Sequence, residues 1–142
     1  MVDHPRWDRP REGQVGGGPP VRLTIEKLAY RGAGLGRSPE GVVTFVPYAA
    51  PGDVAEVRVV RRHGHFDEGE IARLVSPAAE RIAPACPYFS RCGGCQWQHL
   101  TPEAQARWKE AIVRELLAKL VREAGTTIRP IRRLELPWRY RT

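Results

Sequence analysis

The chain lacks any apolar run near the roughly 18 residues that a membrane span needs. Its opening, MVDHPRWDRPREGQVGGGPP, also lacks the apolar centre of a signal peptide. A soluble, cytoplasmic protein with no membrane contact and no obligate protein partner is therefore expected. Cysteine is scarce: the chain has 3, Cys86, Cys92 and Cys95, all inside ACPYFSRCGGCQWQHL. An odd number in a chain without an export signal argues against a disulfide framework and for a metal or cluster in a reducing compartment. Residues 21 to about 76 lack helical periodicity, so no strand–helix–strand unit can be built there.

What the chain has instead is positive charge and short alternating runs. The net charge is +7 and the hydrophobic content 42%, enough for one modest core in 142 residues. Acidic and basic residues balance over 1–20 and again over 21–80, so the excess lies in 81–142. Such a balance suits an anionic partner, nucleic acid before membrane, although arginine also serves plain solubility.

The first 20 residues are Pro, Gly and charge with almost nothing to bury, and are expected to form a disordered arm. VRLTIEKLAY then sets Leu23 and Ile25 against Arg22, Thr24 and Glu26, and DVAEVRVVRR sets Ala55, Val57 and Val59 opposite Glu56 and Arg58. VVTFVPY is β-branched and aromatic, and FDEGEIARLV is a weaker fourth run with an expected bulge at Gly69. RGAGLGRSPEG, the turn AAPGD and the tip RRHGH separate these runs. Four or five short strands over residues 21–79 predict a mainly β fold, a small OB-like barrel.

Glycines 32, 34 and 36 do not make a dinucleotide fingerprint, because strand follows strand here. They read as a flexible connection, whose flanking Lys27, Arg31 and Arg37 could meet an RNA backbone. Tyr48, Arg61, Arg62 and Phe66, at and near the basic tip, have the basic and aromatic mixture that small barrels use on single strands. Asp67, Glu68 and Glu70 follow at once, so a hairpin with internally compensated charge is the competing reading.

After the cysteines, Thr101 is suited to an N-cap, Pro102 to the first helical position and Gly125 to the stop. Trp108, Ile112, Leu116 and Leu120 recur at four-residue steps, which predicts a core-packing helix over 101–125. Residues 126–142 are short and basic, with Arg132, Arg133, Arg139 and Arg141 as further candidates for RNA contact. They read as the start of an incomplete domain.

The cysteine spacing over residues 80–100 is C-x5-C-x2-C, with Gly93 and Gly94 between the last two thiols. Three readings stay open on spacing alone: an iron-sulfur cluster, a Cys3His zinc site completed by His99, and three structural free thiols.

The same stretch resembles the cluster motif of the S-adenosylmethionine-dependent RNA uracil-5-methyltransferases, whose bacterial members modify 23S ribosomal RNA. LAYRGAGLGRSPEGVVTFVPYAAPGDVAEVRV is similar to the TRAM domain, an RNA-binding barrel of OB type, and PWRYRT to the start of the central RNA-binding domain. By that resemblance Cys86, Cys92 and Cys95 are three of four ligands to a 4Fe-4S cluster, with Gln98 and His99 as supporting residues. The fourth cysteine, the S-adenosylmethionine domain, the nucleophilic cysteine and the proton-abstracting carboxylate have no counterpart in this sequence. The chain is accordingly expected to be the front portion of such an enzyme and to transfer no methyl group alone. Alternatives from other classes are a free-standing zinc-binding OB-fold RNA module and a small iron-sulfur electron carrier.

Overall fold

The computed structural model describes residues 18–132. Most of the expected arm and the positions of Arg133, Arg139 and Arg141 lie outside the described residues. Five strands, β1 (Val21–Leu28), β2 (Gly34–Arg37), β3 (Val43–Val46), β4 (Val54–Arg62) and β5 (Phe66–Ser76), precede one helix, α1 (Pro102–Ala124). The strands close into a barrel in the order β1-β2-β3-β5-β4.

Alternation in the sequence sets which side chains enter. Leu23, Ile25, Ala55 and Val57 point inward with Val46 and Ala49, and Val21, Ile71 and Leu74 pack on them. Closure depends on staggered pairing. The first half of β4, Val54–Val57, lies antiparallel to β1, while β5 runs beside the whole of β4 and its start, Phe66–Glu68, pairs parallel with Val43–Phe45 of β3. One long bent strand thus bridges the sheet edges that a flat arrangement would leave open.

Two expectations change here. The glycine segment is not a loop: Gly34–Arg37 is strand β2, paired on one side with β1 and on the other with β3. Glycine is required because the barrel is tight at this point. A Cβ on Gly34 would lie 2.8 Å from Ala49 Cβ, and one on Gly36 would lie 2.8 Å from the Thr24 carbonyl oxygen, both inside van der Waals contact. The fourth run is also not the weak one, since β5 is the longest strand at 11 residues. Register passes from Val59 opposite Gly69 to Arg61 opposite Glu68, so the extra residue at this point is Val60 of β4 and not Gly69, while the extra residues on β5 are Ala72 and Val75. Gly69 is there because a side chain would strike Val57 and the Arg58 carbonyl.

Two compact units divide after Leu100, so the barrel and the cysteine segment fold together. In the second unit α1 begins at Thr101, whose Oγ1 accepts the Ala104 amide at 3.2 Å, and ends at Gly125 with φ 61°. The tail returns along the helix: Arg114 donates to the Ile128 carbonyl and the Ile131 amide donates to Glu110. The far half of the predicted core-packing face is not buried among the described residues: Trp108 and Ile112 are half-buried, but Leu116 is 60% and Leu120 58% exposed. Its periodicity set the helix without supplying a layer to cover it. Among the described residues no helix is long and apolar enough to cross a membrane.

Candidate nucleic-acid interface and cysteine loop

The turn AAPGD places Asp53 where the chain leaves the barrel floor for β4, and its carboxylate is fully buried. It accepts the amides of Ala50 at 2.6 Å and Ala78 at 2.9 Å, and the guanidinium of Arg81 on both oxygens. Arg81 also donates to the Tyr48 carbonyl at 2.9 Å. Burial acts to raise the Asp53 carboxyl, but the Arg81 hydrogen bonds and the two amides outweigh it and hold the group below the ordinary carboxylate value. Asp53 therefore stays ionised and ties the β3–β4 turn to the segment that follows β5.

That segment is the path to the cysteines, and its far end is fastened as firmly. Leu100 is fully buried and bridges Arg81, while the Ile82 amide donates to the His99 carbonyl at 2.9 Å. His99 is 1% exposed, and its Nε2 lies 3.3 Å from the Ala49 carbonyl. A carbonyl can only accept, so Nε2 carries the proton and Nδ1 is the bare nitrogen, buried without a partner. Burial pushes His99 down to about 4, against the opposing pull of the Ala49 carbonyl. Gln98 Oε1 accepts the Cys86 amide at 3.1 Å, closing the loop on itself. Trp97 Nε1 donates to the Gly32 carbonyl at 3.0 Å, and Phe89 meets Tyr48 edge-on with centroids 5.3 Å apart. Trp97 and His99 thus fasten this segment to the barrel.

Between these anchors the thiols are free; Cys86 is half-buried and Cys92 and Cys95 are exposed. Gly93 takes φ 71° and the Gly94 amide lies 3.3 Å from Cys92 Sγ, the tight backbone that the CGGC spacing calls for. Among the described residues no three His, Cys, Asp or Glu side chains converge as a metal-holding group. Thiols of this number and chemistry suit an iron-sulfur or zinc ion, yet they do not form a closed site by themselves. His99 is not gathered with them among the described residues; its Nε2 faces the Ala49 carbonyl instead.

The basic candidates divide into engaged and open. Arg61 is 3.1 Å from Glu68, beside an Arg58–Glu70 pair at 2.9 Å, so much of the hairpin's charge is compensated internally. Phe66 packs edge-on to Phe45 and stacks on His63 at 4.2 Å. Tyr48 is turned to the cysteine loop, and Lys27 is half-buried. Arg31, Arg62 and Arg132 are exposed, and Arg37 reaches Glu26 only at 3.9 Å. Sequence reasoning missed Asp53, Arg81 and Trp97 as the residues that fix this surface. The PGD turn was a signal for Asp53, whereas nothing local marks Arg81 as its partner.

Fold and site together define an OB-type barrel with a thiol-bearing loop locked to its surface. Residues 18–72 match the TRAM domain family. An uncharacterized RNA methyltransferase of Halalkalibacterium halodurans is 35% identical over 121 residues, 85% of this chain and 26% of the relative. The 23S rRNA (uracil(1939)-C(5))-methyltransferase RlmD of Halomonas elongata is 41% identical over 97 residues, 68% of this chain and 20% of the relative. The crystal structure of Pyrococcus abyssi tRNA (uracil-54, C5)-methyltransferase with S-adenosyl-L-homocysteine aligns at a TM-score of 0.46 and 28% identity, covering 69% of this chain and 21% of that one. The barrel is a TRAM domain, and the chain is similar over part of their length to proteins named as RNA methyltransferases. It spans about a quarter or less of the length of these curated relatives.

Proposed function

We propose that the chain is the RNA-holding and cluster-bearing portion of an S-adenosylmethionine-dependent enzyme that methylates carbon 5 of a uridine in 23S rRNA. The observation that supports it most is the seating of Trp97, His99 and Leu100 on a TRAM barrel, together with kinship to RNA methyltransferases. One compact unit then offers both the RNA surface and the thiols. The barrel holds RNA by phosphate contacts from Arg31, Arg37 and Arg62, with Lys27 behind them, and Arg132 adds to the charge of the second unit. Cys86, Cys92 and Cys95 supply three thiolates to a 4Fe-4S cluster, and Gln98 steadies the loop through the Cys86 amide. A structural cluster would fix the loop between its two anchors. The chain's own contribution is recognition, so these residues alone transfer no methyl group.

Two results are expected. Fluorescence anisotropy with a 23S rRNA fragment should give an affinity that falls steeply with salt; three or four phosphate contacts to single-stranded RNA predict a log–log slope of about −2 to −3. Undetectable or salt-independent binding would overturn the RNA reading. Anaerobically purified protein should carry iron and acid-labile sulfide in equal amounts, approaching about four of each per completed site. Stoichiometric zinc with no sulfide would remove the cluster while leaving the RNA test untouched.

A further inference from the structure

The turn between β1 and β2 is built in a way that strand connection does not require. The Gly32 amide donates to the Ala29 carbonyl at 2.9 Å and the Ala29 amide to the Ala33 carbonyl at 2.8 Å, closing a tight turn with Tyr30 and Arg31 at its tip. Arg31 sits at φ 71°, a left-handed conformation that glycine adopts freely and a long side chain does not. Chains keep such residues where the side chain is needed. Arg31 is exposed with no carboxylate paired to it among the described residues, and Tyr30 beside it is 67% exposed. An unshielded phenol ring next to an unpaired guanidinium is the pairing that holds one unstacked base and its phosphate.

The turn is braced from behind. Gly32 has φ 90°, and a Cβ there would collide with the Trp97 indole and come within 3.0 Å of Gln96 Oε1. Trp97 Nε1 donates to the Gly32 carbonyl at 3.0 Å across 65 positions of sequence. A rigid support of this kind lowers the cost of ordering a small recognition tip when it binds.

We infer that the Tyr30–Arg31 tip is a one-nucleotide site for single-stranded RNA, the Tyr30 ring stacking a base and Arg31 meeting the adjoining phosphate. Trp97 is its positioning residue. The cysteine loop thereby carries a support for RNA recognition as well as thiols. This inference rests on the RNA reading given above and specifies where one base is held.

The test uses the whole 142-residue chain, a short fluorescein-labelled single-stranded RNA, and the same RNA annealed to its complement. Tyr30→Ala should weaken single-strand binding about thirtyfold, the middle of the range for one lost stack, with the salt slope unchanged. Tyr30→Phe should stay within about twofold because the ring remains. Arg31→Gly should raise the melting temperature while weakening RNA binding and reducing the salt slope by about 0.7, as for one lost single-strand phosphate contact. A residue kept for structure alone would not split in that direction. Trp97→Phe, with circular dichroism reporting the barrel intact, should fall between parent and Tyr30→Ala. Parent-like affinity in Tyr30→Ala would overturn the site while the RNA reading stands, and so would equal losses on single-stranded and annealed RNA. Parent-like affinity in Trp97→Phe would remove the positioning role. Absence of binding by the parent chain would sink the RNA reading itself, and the site with it.

Discussion

Replacing Asp53 by alanine is expected to cost about 3–5 kcal/mol of folding stability, the range for removing one partner of a buried ion pair. The carboxylate is fully buried and Arg81, opposite it, has only 19% of its side chain exposed. Alanine would leave that guanidinium facing the Tyr48 carbonyl alone, and would also strip the amides of Ala50 and Ala78 of their acceptor. Urea unfolding followed by tryptophan fluorescence measures the loss as a shift in midpoint. Asn should recover part of it, since its carbonyl oxygen can still accept an amide. A joint replacement of Asp53 and Arg81 by apolar residues should lose less than the two single changes together, because no charge is then stranded. A loss under about 1 kcal/mol for Asp53→Ala would show that water replaces the carboxylate freely. The barrel-to-loop attachment would then have to rest on Leu100 and His99.

The consequence for function is local. Asp53 gathers two separate stretches of chain, Ala50 in the β3–β4 turn and Ala78 and Arg81 after β5. Arg81 then bridges to Leu100, just beyond the cysteines. The thiol-bearing loop is thus a closed loop, stapled at its base by one ion pair and at its flank by Trp97 on Gly32. A loop so held keeps its thiols and the nearby Tyr30–Arg31 turn at fixed positions, as the proposed recognition surface requires.

Legibility of the sequence followed the range of the forces involved. β1 and β4 were readable because period-two alternation is a local signal, and so was α1, because Thr101 and Gly125 act on their own neighbours. β2 was not readable. Glycine ordinarily weakens a strand, and only the closeness of Ala49 and the Thr24 carbonyl makes Gly34 and Gly36 the residues that fit. The bulge was misplaced for the same reason: Gly69 is notable in sequence, but the extra residue at this point is Val60, which nothing local distinguishes. The spacing of the three cysteines was legible, although among the described residues they do not gather into a metal-holding group. The partnership of Asp53 with Arg81, and of Trp97 with Gly32, spans 28 and 65 positions, beyond the reach of any pattern along the chain. Charge left Arg61 with two readings, RNA contact and internal compensation, and its pairing with Glu68 is what the second expects.

Acid should release the loop before it melts most other features, and His99 sets where the loss begins. In the unfolded chain this histidine takes a proton near its ordinary 6.5, whereas in the fold burial holds it neutral down to about 4. Between those values the unfolded state binds more protons than the native one, so stability rises with pH there and falls on acidification. The contribution is fully present above 6.5 and lost as pH drops through about 4, and a depression of that size corresponds to about 3 kcal/mol. Asp53 acts in the same direction further down: its carboxyl is held below the ordinary value, so its share is present above the unfolded carboxylate range and is lost as pH falls through the native value. Urea midpoints measured from pH 7.5 down to about pH 2 should therefore fall in two stages, the His99 stage above about 4 and the Asp53 stage below it. His99→Gln, which can still donate to the Ala49 carbonyl but cannot titrate, should start less stable and be nearly flat between pH 6.5 and 4.5. A parent curve as flat as that of the variant would mean that His99 takes its proton in the fold as easily as in water. The imidazole would then have to reach solvent, and the plug between the cysteine loop and Ala49 would be open at neutral pH.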